Sequence, residues 1–177
     1  PTMDMQIIRE VFGEFVEASA LLGSDQQLAA EVRAARARLA PNQVGRHGQL
    51  QEWLDDVEDL EPQHRHLSHL WGLYPGSEIT PERTPELARA ATVTLDRRGT
   101  GGCGWSYAWK MGARARLHDG DKALEQWRAL LTKSSLPNLF SLCSRAMQVD
   151  ANFGATAAIA EMLLQSHQDV IQLLPAL

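Results

Sequence analysis

Three short stretches of this chain gather side chains that could do chemistry on a sugar. Gln148-Val149-Asp150-Ala151-Asn152-Phe153-Gly154 sets a carboxylate and an amide at an expected helix start. His64-Arg65-His66-Leu67-Ser68-His69-Leu70 packs three imidazoles and a guanidinium together. Between them lies Gly101-Gly102-Cys103-Gly104-Trp105-Ser106-Tyr107-Ala108-Trp109-Lys110. Carboxylates accept hydrogen bonds from hydroxyls, imidazoles and amides donate or accept, and indole faces can stack on the apolar side of a sugar ring.

Each stretch also has a plainer reading. Asp150 suits a helix N-cap, the commoner job for such an Asp, as well as a carboxylate kept charged by the helix dipole and fit to act as a general base. His64, His66 and His69 could bind hydroxyls, ligate a metal or open a helix with satisfied rings. They lack an acid ligand at helical spacing and differ from the His-Glu-x-x-His arrangement. Trp105 and Trp109 share a helix face, so either a core stripe or a sugar platform fits, with core favoured for Trp109. In the acidic stretch Asp55-Asp56-Val57-Glu58-Asp59, a solvated face is expected, whereas Glu52, beside Trp53 and after a glycine-containing loop, is the member expected to face a pocket.

Helices must position these groups. Apolar steps of three and four predict a helix over 3–22, with Met3, Ile7, Ile8, Val11, Phe12, Phe15, Val16, Leu21 and Leu22 on its stripe. Gly23 ends it, and Ser24 is expected to cap a second helix over 25–39. A loop with a short helix near 49–55 follows, then a turn or two of helix at 66–73. Thr84-Pro85-Glu86 predicts a helix start: cap, proline at the first position, acid in the first turn. Helices are expected to reach about Arg97, then to span 105–118, 121–133 and 151–167. The last should bury Ala158, Ile159, Met162 and Leu163. Residues 134–150 read as irregular, and 170–174 as a possible short strand. The pattern is all-α: about six helices in alternating hairpins, with polar clusters in the longer loops or at helix starts.

Composition bounds the class. The 177 residues are 44% hydrophobic and 22% charged, with a formal net charge of -5. Lys and Arg are scattered without a basic block, which argues against a nucleic-acid partner. No run of about 18 apolar residues exists to span a membrane. Cys103 and Cys143 lie far apart without metal-ligand spacing, and free thiols are the favoured reading. The first residue is Pro1, and the chain closes on the apolar Leu173-Leu174-Pro175-Ala176-Leu177. Residues 1–177 therefore read as a fragment of a longer helical protein, which leaves the cellular compartment open.

Several motifs together resemble one family. Gly48-Gln49-Leu50-Gln51-Glu52-Trp53, followed by His64 through Leu70 and Trp71-Gly72-Leu73-Tyr74-Pro75-Gly76, is similar to the inverting α-L-fucosidases of glycoside hydrolase family 95. Gly104-Trp105-Ser106-Tyr107-Ala108-Trp109-Lys110 resembles that family's Gly-Trp-Ser-x-Ala-Trp-Lys segment. Gln148 through Gly154, with Glu161-Met162-Leu163-Leu164-Gln165-Ser166, resembles its last catalytic-domain segment, and Thr2-Met3-Asp4-Met5-Gln6 fits as well.

The resemblance implies part of an (α/α)6 barrel, incomplete in this chain, and hydrolysis of terminal α-L-fucose without metal or cofactor. It implies Asp150 in the water-activating machinery, aided by asparagines upstream, and His66 at the fucose site. Trp105 and Asn152 are expected near the pocket, with Glu52 and His69 as further substrate contacts. The general-acid glutamate is expected upstream, Glu52 being the candidate within the chain. The implied partners are a fucosylated oligosaccharide, 1,2-linked, and the remaining parts of the same polypeptide. The competing readings are a non-catalytic helical carbohydrate-binding or repeat module, and another (α/α)6 enzyme such as an α-L-galactosidase or a phosphorylase.

Overall fold

The computed structural model describes residues 1–57 and 61–177. Glu58 and Asp59 of the acidic stretch lie outside the described residues. Among the described residues there are six α-helices: α1 (Thr2–Leu22), α2 (Gln26–Arg36), α3 (Pro85–Arg98), α4 (Gly104–Arg116), α5 (Gly120–Lys133) and α6 (Asp150–Leu163). A 3-10 turn at Ser68–Leu70 and two antiparallel pairs complete it: β1 (Leu142–Cys143) with β2 (Ala146–Met147), and β3 (Leu164–Gln165) with β4 (Gln172–Leu173). The architecture is all-α, as an (α/α)6 barrel segment requires.

The centre is a seam of small residues. A Cβ on Gly104 would lie 3.2 Å from the Ala151 methyl, and one on Gly154 would lie 3.1 Å from that of Ala108. Further along, Met111 packs with Ala158, and Gln165 Nε2 donates to the Ala115 carbonyl at 2.9 Å. Residue numbers rise together along both helices, so α4 and α6 run parallel with their N-termini side by side. Small side chains let the backbones approach this closely. Helix α5 makes the return: Ala129 and Leu130 meet Tyr107 and Ala108, and Ala123 meets Met111. The unit is therefore helix, antiparallel return, helix. At its far end Arg116 forks onto Glu161, at 2.6 and 3.0 Å, and donates to the Gly76 carbonyl at 3.0 Å.

A second core joins α3 to the segment around the 3-10 turn. Leu50, Leu67, Leu70, Leu73, Ile79, Ala91 and Leu95 are buried together, and Trp109 packs against them. Helix α1 attaches through polar contacts. Gln6 is buried, donates to the His69 carbonyl at 3.0 Å, and accepts from the Gly72 N–H at 2.9 Å. Arg9 forks onto Glu78.

The structure corrects several expectations. Residues 49–55 form no helix. Gly48, at φ 78, turns the chain so that Val44 bridges Leu50 and the Gln51 N–H donates to the Gln43 carbonyl at 2.9 Å. Ser24 does not cap α2: its N–H closes α1 on the Ser19 carbonyl at 3.2 Å, and Asp25 takes the cap position. Within α1 the buried residues are Gln6 and Ser19, while Val11, Leu21 and Leu22 of the expected apolar stripe are exposed. In α6 the buried face is Ala151, Ala155 and Ala158; Ile159 and Leu163 point outward because the seam admits only small side chains. Residues 134–150 contain the β1–β2 hairpin. Cys103 and Cys143 are not free thiols but a disulfide, because the hairpin folds back on the start of α4 and brings their Cα atoms to 4.8 Å.

Candidate active site

Parallel packing of α4 and α6 puts Trp105 and Asp150, each in a first helical turn, at the same end of the seam. With Tyr74, Pro75, Ala108, Trp109 and Gly154 they line one cavity of about 350 Å³. Asp150 is the first residue of α6, and Val149 precedes it in the cap position without a side-chain bond. The cap reading of Asp150 therefore fails. Its carboxylate is exposed on the cavity side, where the helix dipole favours negative charge.

His66 reaches this cavity's edge through Trp105: the ring centroids lie 4.8 Å apart with planes tilted by 51°. His64 stacks on His66, with centroids 5.0 Å apart and planes 25° from parallel. Desolvation, with the positive potential of His64 and Arg65, holds the His66 imidazole below the usual histidine range, and Glu52 partly opposes this. A neutral ring keeps one nitrogen as an acceptor, so it can both give and take a hydroxyl hydrogen bond.

Glu52 and His69 belong to a second, smaller cavity of about 130 Å³, with Trp53, Thr94, Arg97 and Arg98 on its wall. Arg98 donates to Glu52 Oε2 at 3.2 Å, Ser68 donates to Oε1 at 3.1 Å, and His69 Nδ1 lies 3.6 Å from Oε2. Both Glu52 oxygens thus act as acceptors. Proton donation from Glu52 would give up the ion pair with Arg98, so this site fits a hydroxyl acceptor better than a general acid. No group of three His, Cys, Asp or Glu side chains among the described residues is arranged to hold a metal ion.

Asn152 lines neither cavity. Its Oδ1 accepts from Ser141 N–H and Oγ, both at 3.0 Å, and its Nδ2 donates to the Leu139 carbonyl at 2.8 Å. The amide braces the loop that leads to Asp150. The six residues singled out in the sequence thus divide. Trp105 and Asp150 share one cavity, Glu52 and His69 another, His66 lies against Trp105, and Asn152 stands behind. Tyr74, Pro75 and Gly154 were not singled out as site residues, although all three lie in the quoted motifs. Gly154 carries a readable signal: glycine four residues into a helix points to a close approach by another element.

Comparison with known proteins places the chain in a family. A profile described as the Glycosyl hydrolase family 95 catalytic domain matches residues 1–163. The chain is 44% identical over 187 aligned positions to Alpha-L-fucosidase 2 of Arabidopsis thaliana, covering 99% of this chain and 22% of that protein. It is 31% identical over 170 positions to Probable alpha-fucosidase A of Aspergillus niger, with 90% and 21% covered. For the protein of the same description from Aspergillus oryzae the identity is 32% over 178 positions, with 90% and 25% covered. The chain thus spans between a fifth and a quarter of the length of these curated relatives. By sequence it belongs to glycosyl hydrolase family 95.

Proposed function

We propose that residues 1–177 are a fragment of a helical glycoside hydrolase catalytic domain, and that the full-length protein hydrolyses terminal α-L-fucosidic bonds, 1,2-linked, in oligosaccharides with inversion. The observation that carries this reading is the pairing of an indole and a helix-start carboxylate on one cavity between parallel helices. An inverting glycosidase needs a protonated acid at the leaving oxygen and a basic assembly on the opposite sugar face. The two stand roughly 6.5–9.5 Å apart so that water fits between. Asp150 supplies charge on the water side, and Trp105 and His66 hold the sugar. Another part of the full-length protein supplies the general-acid glutamate, and upstream asparagines assist the water.

The test is product stereochemistry. Incubation of the full-length protein with a 2′-fucosylated oligosaccharide, followed by proton NMR from the first minutes, is expected to show β-L-fucose appearing before the α anomer. Initial release of α-L-fucose would refute inversion, and absence of release would refute the fucosidase reading.

The rest of the same polypeptide is the proposed cover for the exposed apolar surface. Val11, Leu21 and Leu22 on α1, Phe153 on α6, and Ile171 and Leu173 near β4 are all more than half exposed. Large apolar side chains left exposed in this number favour association. No helix among the described residues is long and apolar enough to cross a membrane. The isolated 177-residue chain is expected to be inactive and to elute as a broad, concentration-dependent oligomer in light-scattering chromatography. A monodisperse monomer with a sharp unfolding transition would contradict the proposal.

A further inference from the structure

Two polar side chains of α4 are fully buried and line neither cavity: Ser106, at 0% exposure, and Lys110, at 1%. Both belong to the Gly-Trp-Ser-x-Ala-Trp-Lys segment, and neither has a part in the chemistry above. Ser106 Oγ donates to the Arg65 carbonyl at 2.8 Å, across 41 residues of chain. Its neighbour Trp105 meets the ring of His66, the residue after Arg65. His66 is therefore held twice by consecutive residues of one helical turn: through the preceding carbonyl by Ser106, and through its ring by Trp105.

The hydroxyl has little freedom to turn away. Gly102 packs directly over it, and a Cβ at that position would lie 2.7 Å from Ser106 Oγ. The loop carrying Gly102 is fixed in turn by Lys110, whose ammonium donates to the carbonyls of Arg98, Gly99 and Gly101 at 3.3, 2.9 and 2.7 Å. Burial, with Arg98 and Arg114 nearby, brings Lys110 down to about 8, so the group is still charged at neutral pH. We propose that Ser106 is a positioning residue for His66, setting the imidazole against Trp105 by holding the Arg65 carbonyl, while Lys110 locks the glycine loop that keeps the hydroxyl aimed. The activity arm of its test rests on the fucosidase reading; the structural arm does not.

Ser106→Ala and His66→Ala are made singly and together in the full-length protein, and initial rates are measured on a 2′-fucosylated oligosaccharide. Loss of the hydrogen bond is expected to lower kcat/KM about tenfold, with a melting temperature within a few degrees of wild type. In the His66→Ala background the same substitution is expected to cost less than about twofold, because groups that act through one another are not additive. Equal losses in both backgrounds would overturn the proposal.

The second arm is the NMR titration of the His66 imidazole, which faces His64 and Arg65 of its own segment, Glu52 from the preceding loop and Trp105 of α4. Ser106→Ala should move its midpoint up toward an ordinary histidine as the ring leaves its contact with Trp105. An unchanged midpoint would overturn the proposal whether or not the protein releases fucose. Ser106→Cys, of similar size but a weak donor, takes its place should the alanine variant fail to fold.

Discussion

Asp150→Asn in the full-length protein is expected to lower turnover on a 2′-fucosylated oligosaccharide by about 10²- to 10⁴-fold, the range a positioned base contributes. The apparent KM should change by less than about threefold, since an effect confined to the transition state falls on kcat. Asparagine preserves shape and one acceptor oxygen while removing the charge. Asp150 bonds to no cap position and sits in no ion pair among the described residues, so the substitution should leave the melting temperature within a few degrees. That separates it from a structural carboxylate such as Glu161, which is forked by Arg116. Near-normal turnover in this variant would remove Asp150 from the mechanism.

Opening the Cys103–Cys143 disulfide is expected to be the most damaging change to stability. The bond closes a loop of sequence separation 40. By chain entropy such a loop is worth about 4 kcal/mol. It also ties the residue that precedes α4 to β1, which leads through β2 to Asp150. Without it the hairpin keeps its Ser141 contacts to Asn152 and to the Gln148 carbonyl. Thermal unfolding of the full-length protein, with and without excess dithiol, should show a drop of several degrees that Cys103→Ser/Cys143→Ser reproduces. Coincident melting curves would show that the loop is held by its hydrogen bonds alone.

The long helices were legible because local signals agreed: Gly23 ends α1, in the left-handed region, and Pro85 opens α3. Pocket geometry was less so. Asp150 and Trp105 stood out by type, but that they share a cavity depends on the parallel course of α4 and α6. That course follows from long-range contacts between small side chains, which carry no periodic signal. In α6 Ala158 reads as buried and is so, but Ala151 and Ala155 read as helix propensity, and the larger Ile159 and Leu163 compete with them for the inward face. Leu50 shows the converse. Its neighbourhood resembles a short helix by composition, yet its N–H bonds to Thr94 Oγ1 at 3.0 Å, a partner 44 residues away. The disulfide was hidden for the same reason, since only the folded hairpin brings its two halves together.

The seam between α4 and α6 works as a caliper. The distance between the two helix starts, and with it the gap between indole and carboxylate, is set by the bare backbone of Gly104 and Gly154 against single methyl groups. Changes there would alter the width of the opening without touching any reactive group. Gly154→Ala and Ala108→Gly are thus expected to narrow and to widen the cavity that both residues line, while leaving Trp105 and Asp150 in place.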